Sequence, residues 1–518
     1  MKEEGGRQKV EEIPLAEWVV PRVEKAMPAD FPDEPYLGLD DIEAHTTRLL
    51  GSKSAADMKS SAKRFFPGDV LYSRLRPYLN KVWLADRSGL CSAEFIVLPS
   101  NDFIDGAFLK YRLNARDFVS FANSLNAGDR PRVDFDQISA FCLPPFALAR
   151  QRRIVLKIEE LFSELDAGEA ALKKARHQLG VYRQSLLKQA FEGKLTAPWR
   201  AQHPDLLESP DQLLTRIQAE RQARYERQLE ELEAEVNEWE ANGEQGRKPT
   251  RPKAFAPIHR RDSDESGSIP AQWLWLNLGD ASDVTGGLTK NSKRENLALR
   301  IPYLRVANVY ANELRLDEIK EIGVTTAEAR KVRLEAGDLL IVEGNGSLEQ
   351  IGRVASWNGS IKDCGHQNHL IRSRCFPSAN HSFILMFLLS PQGREQIEKQ
   401  AASTSGLHTL SVSKVHALSV PLCSLPEQQE IVRLLDEQFE VIEQNEHEIG
   451  AALKRSAALR QSILKKAFTG HLVPQDSTDE PASALLERIR SERENSAIVP
   501  KKKTVRKNFK SPVSPFHE

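Results

Sequence analysis

Four potential zinc ligands lie within twelve residues of one another in the second half of the chain. They are Cys364, His366, His369 and Cys375. Zinc prefers thiolate and imidazole ligands, and structural sites usually bring them in closely spaced pairs on tight turns. Here the two histidines are three residues apart and lead into an apparent strand. We therefore interpret the segment as polar side chains at the mouth of a loop, with amide and imidazole groups suited to base edges.

A local excess of positive charge marks the first half of the chain. Residues 59 to 87 include seven lysines or arginines and two acids, whereas the whole chain of 518 residues has a formal net charge of -1. Such a segment can neutralise phosphates, and an arginine can donate two parallel hydrogen bonds to O6 and N7 of guanine. A solvated basic face without function has the same composition, so this segment alone leaves both interpretations open.

Loops rich in basic, amide and hydroxyl side chains occur in corresponding parts of the two halves. These residue types can pair with base edges in the major groove or with phosphate. The candidate nucleic-acid-binding residues are Arg74, Arg76, Asn80, Lys81, Arg130 and Arg132 in the first half, and Lys290, Asn291, Lys293, Arg294, Asn345, Ser347, Gln367, Asn368, His369 and Thr409 in the second.

Motifs for catalysis are missing from the sequence. It has no Gly-x-x-x-x-Gly-Lys-Ser/Thr phosphate loop. The segment Leu143-Pro-Pro-Phe146 lacks the polar first residue of the loop that amino-methyltransferases carry. We therefore expect no catalytic residues, no metal and no cofactor in this chain. A nuclease or methyltransferase with a degenerate motif is the alternative from the enzyme class.

The elements that must position these loops are duplicated. Residues 151–195 recur without a gap 277 residues later as residues 428–472, and Tyr182–Leu195 shares nine of fourteen residues with Leu459–Leu472. In the first copy apolar or small residues alternate in steps of three and four, which is typical of a long helix with a coiled-coil seam; polar residues interrupt the same stripe in the second. The predicted helix-pairing residues are Ile154, Ile158, Leu165, Leu172, Leu179, Leu186, Ile431, Leu435, Ile442, Ile449, Leu459 and Ile463.

Two related stripes that each need a partner are satisfied most simply if the two helices pair with one another antiparallel. The alternative is two separate amphipathic helices, each packed on its own domain. Upstream of each helix lies a region of strand-like runs and turn signals. The two regions align loosely, with Trp18 matching Trp273 and Gly68-Asp69-Val70-Leu71 matching Gly337-Asp338-Leu339-Leu340, which predicts two diverged copies of one mixed α/β (α+β) domain.

The predicted organisation has six parts. In chain order they are a first α/β domain (1–146), a first spacer helix (147–195), a charged helical arm, largely solvated between residues 221 and 240, with a flexible linker (196–268), a second α/β domain (269–424), a second spacer helix (425–473), and a short helix with a basic tail that we expect to be disordered (474–518).

Cysteine usage and hydropathy indicate a cytoplasmic protein. Five scattered cysteines without a Cys-x-x-Cys pair argue against a disulfide framework and predict reduced, mostly buried thiols. The longest apolar stretch, near residues 383–389, is too short to span a bilayer, and the first residues are too polar for a secretory signal.

Together these features resemble the DNA-specificity subunits of type I restriction-modification systems. The residues that carry the resemblance are RQSLLKQAFEGKL (183–195) and RQSILKKAFTGHL (460–472) in the helices, GDVLYSRLRPYLNKVW (68–83) and CSAEFIVLP (91–99) in the first half, and IPAQWLWLNLGD (269–280) in the second. The first helix opens with Arg150-Gln151 where a Glu-Gln pair is usual. We expect this departure to affect only the capping of that helix.

The resemblance implies a non-catalytic subunit that binds double-stranded DNA. Two target-recognition domains would each read a few base pairs in a major groove, and the antiparallel helices, related by a pseudo-two-fold axis, would fix the unspecified spacer of a bipartite, asymmetric site. Two modification subunits would carry S-adenosylmethionine and methylate adenine. Two restriction-translocation subunits that use ATP and Mg²⁺ could also join. The main alternative is a coiled-coil adaptor whose domains bind proteins rather than DNA.

Overall fold

The computed structural model describes residues 12–126, 128–241, 243, 248–258, 268–344, 350–401 and 409–498. Two predicted DNA-binding residues, Asn345 and Ser347, and the basic tail lie outside the described residues. The chain forms two compact units. The first unit comprises residues 1–173 and 450–518, and the second unit comprises residues 174–449. Each long helix therefore contributes one half to each unit.

The first unit contains an α/β domain with strands in three sheets. One sheet has the spatial order Lys25–Ala26, Ala62–Phe65, Gly89–Cys91, Pro35–Leu37 and Lys53–Ser54, and its Pro35–Leu37 and Gly89–Cys91 strands are parallel. An antiparallel sheet has the order Val82–Leu84, Val70–Ser73 and Phe95–Leu98. The strand Ile13–Pro14 pairs with Cys142–Leu143 and closes the domain just before the long helix.

Helices cover the antiparallel sheet of the first unit. The core joins apolar residues of this sheet, such as Val70 and Ile96, to Phe108 and Phe118 on the helices. The α-helices are Leu15–Trp18, Gly106–Asn114, Arg116–Ser124, Phe135–Ile138 and, near the end of the chain, Ala482–Ile498. Short 3-10 helices span Pro28–Asp30, Leu39–Asp41, Ala55–Asp57 and Pro77–Leu79.

The second unit contains a related α/β domain. Its largest sheet is antiparallel, with the order Ser282–Gly286, Leu370–Cys375, Leu339–Val342 and Val354–Ser356. In a second sheet the strand Arg300–Leu304 pairs antiparallel with Lys320–Gly323 and parallel with Gly365–His366. Two further antiparallel pairs join Val309–Tyr310 to Glu313–Leu314, and Leu274–Asn277 to Ser419–Leu422. The helices are Ala197–Gln202, Pro204–Leu206 (3-10), Pro210–Ala241, Leu278–Ala281, Ser292–Asn296 (3-10), Thr326–Val332, Val306–Asn308 (3-10), His381–Leu389, Pro391–Ala401 and Val412–His416.

The same glycine-aspartate turn precedes the central strand of both domains. Gly68 and Gly337 have φ angles of 87° and 91°, a left-handed backbone that glycine adopts without steric cost. Asp69 accepts the backbone N–H three residues earlier at 2.9 Å, and Asp338 does the same at 2.8 Å. The loose sequence alignment of the two halves therefore corresponds to one shared local structure.

The two long helices are Leu148–Phe191 and Leu425–Phe468, each of 44 residues. Within the first unit the two segments contact each other antiparallel. The guanidinium carbon of Arg460 lies 4.9 Å from the ring centroid of Phe162, and the side chain pairs with Asp166, four residues after Phe162. Within the second unit Arg183, which occupies the position of Arg460 in the sequence repeat, lies 4.6 Å from the ring centroid of Phe439. It pairs with Glu443, four residues after Phe439, at 3.6 Å.

The predicted seam residues differ in burial. Buried ones are Ile154, Ile158, Leu186, Ile431, Leu435, Ile442 and Ile449, and half-buried ones are Leu165, Leu172, Leu179 and Ile463. Leu459 was predicted to pair but is 52% exposed, so it does not lie in the seam. A straight α-helix drifts by about 20° per heptad, which turns Leu459 outwards and brings Arg460 and Leu464 inwards.

The predicted solvated arm is in part a packed helix. In Pro210–Ala241 the side chain of Ile217 is buried in the core of the second unit. Arg221 is only 5% exposed; it pairs with Asp280 at 3.2 Å and donates to the carbonyl of Ala256 at 2.7 Å. Arg221, the first residue of the predicted solvated stretch, is therefore packed on the second domain, whereas the following residues of the helix are exposed or half-buried.

Candidate nucleic-acid interface

A buried glutamine joins the first domain to the start of the first long helix. The Gln151 side chain donates to the carbonyls of Phe103 and Phe146 at 2.8 and 2.7 Å and accepts the N–H of Asp105 at 2.9 Å. Asp105 in turn caps the helix Gly106–Asn114. One end of the domain is thus fixed to the long helix by three hydrogen bonds in a site without solvent access.

Gln428 makes the same three contacts in the second unit. It donates to the carbonyls of Ser378 and Cys423 at 2.9 and 2.8 Å and accepts the N–H of Asn380 at 2.8 Å. Asn380 caps the helix His381–Leu389. We call these two attachment points the bases of the domains. They were not predicted as functional, although Gln151 and Gln428 are equivalent residues of the sequence repeat.

The central strand of the first domain runs away from its base. A Cβ atom on Gly106, in the capped helix, would lie 2.6 Å from the carbonyl oxygen of Gly68, so the turn before the strand adjoins the base. The strand Val70–Ser73 is followed directly by Arg74. At about 3.3 Å per residue its four residues place Arg74 more than 10 Å further along.

Three chain segments meet at this far end, which we call the first junction and define by Arg74, Glu94, Arg132 and Asp134. The N–H of Arg74 donates to the carbonyl of Glu94 at 2.9 Å, and the carbonyl of Arg74 accepts the N–H of Val133 at 2.9 Å. The side chain of Arg74 pairs with Asp134, and that of Arg132 pairs with Glu94 at 2.6 Å. The junction therefore holds two arginines, each oriented by one acid.

The remaining first-domain candidates have different surroundings. Arg76 donates its backbone N–H to Pro131, so it lies beside the loop that carries the exposed Arg130. Asn80 is buried, has a left-handed φ of 46° and donates to the carbonyl of Asn114 at 3.1 Å. Lys81 donates to the carbonyl of Leu39 at 2.6 Å. Asn80 was predicted to contact DNA, but these contacts make it a structural residue; Lys81 is half-buried.

The second domain has an equivalent second junction, defined by Glu343, His369, Thr409 and Ser411. The N–H of Glu343 donates to the carbonyl of His369 at 3.0 Å, and its carbonyl accepts the N–H of Leu410 at 2.7 Å. Thr409 forms an isolated antiparallel β-bridge with Gly344, and Arg132 forms the equivalent bridge with Leu75 in the first domain. The imidazole Nδ1 of His369 lies 2.8 Å from a carboxylate oxygen of Glu343. Ser411 caps the helix Val412–His416, as Asp134 begins Phe135–Ile138.

Other second-domain candidates gather beside this junction, with one exception. The backbone of Asn368 donates to Leu288, which brings the 366–369 turn next to the loop with the exposed Lys290, Asn291 and Lys293. Gln367 is half-buried on the same turn. Arg294 is the exception and a correction. Its guanidinium makes two hydrogen bonds to Glu328 at 3.0 and 2.8 Å and lowers the pKa of that carboxylate, so it holds the domain together.

The cysteine and histidine cluster is dispersed by the fold. His366 is buried, and its Nδ1 lies 3.1 Å from the carbonyl of Val332. Burial lowers the pKa of His366 to about 4 and raises the pKa of the Cys364 thiol to about 12. His369 lies outside on the second junction. Among the residues that the structure describes, no three histidine, cysteine or acidic side chains are grouped as metal ligands.

Sequence reasoning missed the acids of the two junctions. Glu94, Asp134 and Glu343 were not candidates because the search favoured basic and amide groups. The sequence did contain a signal for Glu343, since Arg74 and Glu343 each lie five positions after the aspartate of the glycine-aspartate turn in their half. In the described part of the chain, no helix is both long and apolar enough to cross a bilayer.

The chain is similar to named subunits of restriction enzymes. It is 34% identical over 204 residues to the type I restriction enzyme EcoDI specificity subunit of Escherichia coli, which covers 38% of this chain and 45% of that protein. It is 27% identical over 400 residues to the EcoKI specificity subunit of Escherichia coli K12, 74% of this chain and 70% of that protein. For the StySPI subunit of Salmonella potsdam the identity is 26% over 427 residues, with 79% and 76% covered.

A solved structure shares the fold. A chain from a structure on complex assembly and conformational transition of the type I R-M system has a TM-score of 0.61 and 18% identity, and the match covers 89% of this chain and 97% of that one. No protein-family model matches the sequence. The predicted resemblance to type I specificity subunits is confirmed by these matches.

Proposed function

We propose that this chain is the DNA-specificity subunit of a type I restriction-modification complex. One observation carries the proposal beyond the similarity to named subunits. The two domains share the three glutamine hydrogen bonds of the base and the backbone hydrogen bonds of the junction, while the side chains at the two junctions differ. Such a design suits a protein that reads two different short sequences with one scaffold.

Each domain would read one half of a bipartite, asymmetric DNA site. The two long helices would hold the half-sites at a constant separation, with an unspecified spacer between them. At about 1.5 Å per residue, helices of 44 residues are about 66 Å long, which exceeds one turn of B-form DNA. Support for the pairing comes from the antiparallel contacts of Arg460 in the first unit and Arg183 in the second.

The chemistry would belong to partner subunits. The relatives are named as specificity subunits, and the candidate interface consists of ion pairs and hydrogen-bonding groups rather than a nucleophile with a base. We expect two modification subunits that carry S-adenosylmethionine and methylate adenine, with or without two ATP- and Mg²⁺-dependent restriction subunits. Action on chromosomal DNA would place the complex in the cytoplasm.

Duplex binding by the purified chain tests the proposal. A fluorescent duplex with randomised sequence should bind at about 50 mM salt, and the logarithm of the binding constant should fall linearly with the logarithm of salt concentration. Absence of duplex binding at low salt would contradict the proposal and favour a protein-binding adaptor. Methyl transfer from labelled S-adenosylmethionine to DNA by the chain alone would instead show an enzyme.

A further inference from the structure

The two junctions share a backbone but present opposite hydrogen-bonding groups. In each junction the first residue after the central strand, Arg74 or Glu343, makes two backbone hydrogen bonds. One is to the residue that precedes a neighbouring strand, and the other is to a third segment that leads into a short helix. Arg74 of the first junction therefore corresponds to Glu343 of the second, and Arg132 corresponds to Thr409. The guanidinium group can only donate hydrogen bonds, whereas an ionised carboxylate can only accept them.

The first junction is suited to a base that accepts. The side chain of Arg132 is 51% exposed and that of Arg74 is 25% exposed, and each uses its terminal nitrogen on one acid. The Nε of Arg74 is buried, so the more exposed Arg132 is the better placed of the two to present an edge of its guanidinium to a ligand. Guanine offers O6 and N7 as adjacent acceptors in the major groove, and this is the pairing that arginine makes most often.

The second junction is suited to a base that donates. His369 occupies the Oε2 atom of Glu343, and the Glu343 side chain is 31% exposed. In the major groove the donors are the exocyclic amino groups of cytosine (N4) and adenine (N6). A lone acid would be repelled by phosphates, but Lys414 donates to the carbonyl of Thr409 at 3.1 Å and supplies a cation at this junction.

We propose that Glu343 selects an amino-bearing base, cytosine or adenine, at one position of the half-site read by the second domain, and that Arg132 with Arg74 selects guanine in the other half-site. The proposal rests on the proposed function, since it assumes that each domain reads DNA. It makes the acids beside the arginines positioning residues: Glu94 and Asp134 orient the guanidinium groups and touch no base.

Selection from a pool of randomised duplexes tests this assignment. The purified full chain is incubated with the pool, bound duplexes are sequenced, and the base preference at each position is compared among variants. Glu343→Ala removes both acceptor oxygens, whereas glutamine would itself pair with adenine. The alanine substitution should reduce the preference for cytosine or adenine at one position about tenfold and leave the other half-site unchanged. Arg132→Gln should do the reverse, with guanine lost from the other half-site alone.

Matched controls separate the possible outcomes. Glu321→Ala removes an exposed acid from another sheet of the same domain and should leave every preference unchanged. Glu94→Gln should weaken the guanine preference less than Arg132→Gln does. If the wild-type chain selects a two-part motif but Glu343→Ala leaves it intact, the assignment of Glu343 is wrong and the proposed function stands. If the wild-type chain selects no motif, the proposed function itself fails.

Discussion

The bases of the two domains are built on the same repeat but hold opposite charges at one position. In the second unit Glu427 is fully buried and accepts hydrogen bonds from Thr196 at 2.8 Å, from Arg200 at 2.7 Å and from Nε1 of Trp273 at 3.0 Å. In the first unit the equivalent residue is Arg150. The charge of the side chain is reversed while the helix around it is unchanged.

Arg150 does not replace the contacts of Glu427. Its guanidinium lies over the ring of Phe146 at 4.3 Å and donates to the carbonyl of Gly470 at 3.3 Å. Burial lowers its pKa. The indole of Trp18, which corresponds to Trp273, donates instead to the carbonyl of Ile13 at 3.4 Å. The expectation that Arg150 alters only helix capping is therefore wrong, because the position joins several elements in the base of the second domain.

This comparison predicts that the second unit depends more strongly on its base. Glu427→Ala would leave Nε of the half-buried Arg200 and Nε1 of the buried Trp273 without their acceptor and should lower the free energy of unfolding by about 3–5 kcal/mol. Arg150→Ala should cost about 1 kcal/mol, from the lost contact with the aromatic ring. Hydrogen–deuterium exchange with mass spectrometry measures both, since peptides report on each unit separately. Equal losses of protection in the two variants would contradict the comparison.

The buried glutamines should instead act alike. Gln151→Leu and Gln428→Leu each remove three hydrogen bonds and leave buried backbone groups without partners. Each substitution should destabilise its own unit by about 2–3 kcal/mol. Urea unfolding of the two variants, with exchange to assign the unit affected, measures the cost. A difference of more than about 1 kcal/mol between them would show that the shared geometry hides unequal packing.

Acid should weaken the second unit more than the first. His366 corresponds to Cys91, because the two residues lie in equivalent strands that pair in parallel with Arg300–Leu304 and Pro35–Leu37, respectively. Burial lowers the pKa of His366 from 6.5 to about 4. The folded state therefore favours neutral His366, so its contribution is complete above pH 6.5 and is lost as pH falls towards 4. At pH 5 the loss should be about 2 kcal/mol.

His366→Cys introduces the residue of the first unit and supplies the control. Burial raises the pKa of Cys91 to about 12, so a thiol at this position should stay neutral throughout the same range. Exchange at pH 7.5 and pH 5 should show acid-induced opening of the second unit in the wild-type chain and much less in the variant. An unchanged acid response in His366→Cys would mean that other groups cause it.

The cross-helix arginines are the smallest test of the repeat. Arg183→Ala removes a cation–π contact and one partly exposed ion pair, and Arg460→Ala removes a cation–π contact and partly exposed ion pairs with Asp166 and Glu169. Each substitution should cost about 1 kcal/mol. Thermal unfolding at low and high salt measures the loss. Lys454→Ala, at an exposed position of the second helix, is a suitable control and should change stability by no more than about 0.5 kcal/mol.

The features that could be predicted from the sequence are those that are local in the chain or repeated along it. Identical residues at one fixed separation marked both long helices, and the glycine-aspartate turns marked the central strands. The junctions could not be found in this way because strand pairing brings together Arg74, Glu94 and Arg132, which are far apart in the chain. Asn80 was misread because its backbone adopts a left-handed conformation and its side-chain amide donates to the carbonyl of Asn114, which is distant in the chain. Leu459 was misread because the heptad pattern assumes a strict period that a straight helix does not keep.

Exchange of one whole domain tests the central claim most directly. Residues 1–142 are replaced by the corresponding segment of a relative, and the DNA motif of the chimera is determined by selection from the randomised duplex pool. If each domain reads one half-site, the chimera should acquire a new half-site on one side and keep the other half-site and the spacer length. A change in both half-sites, or a single uninterrupted motif, would contradict the account.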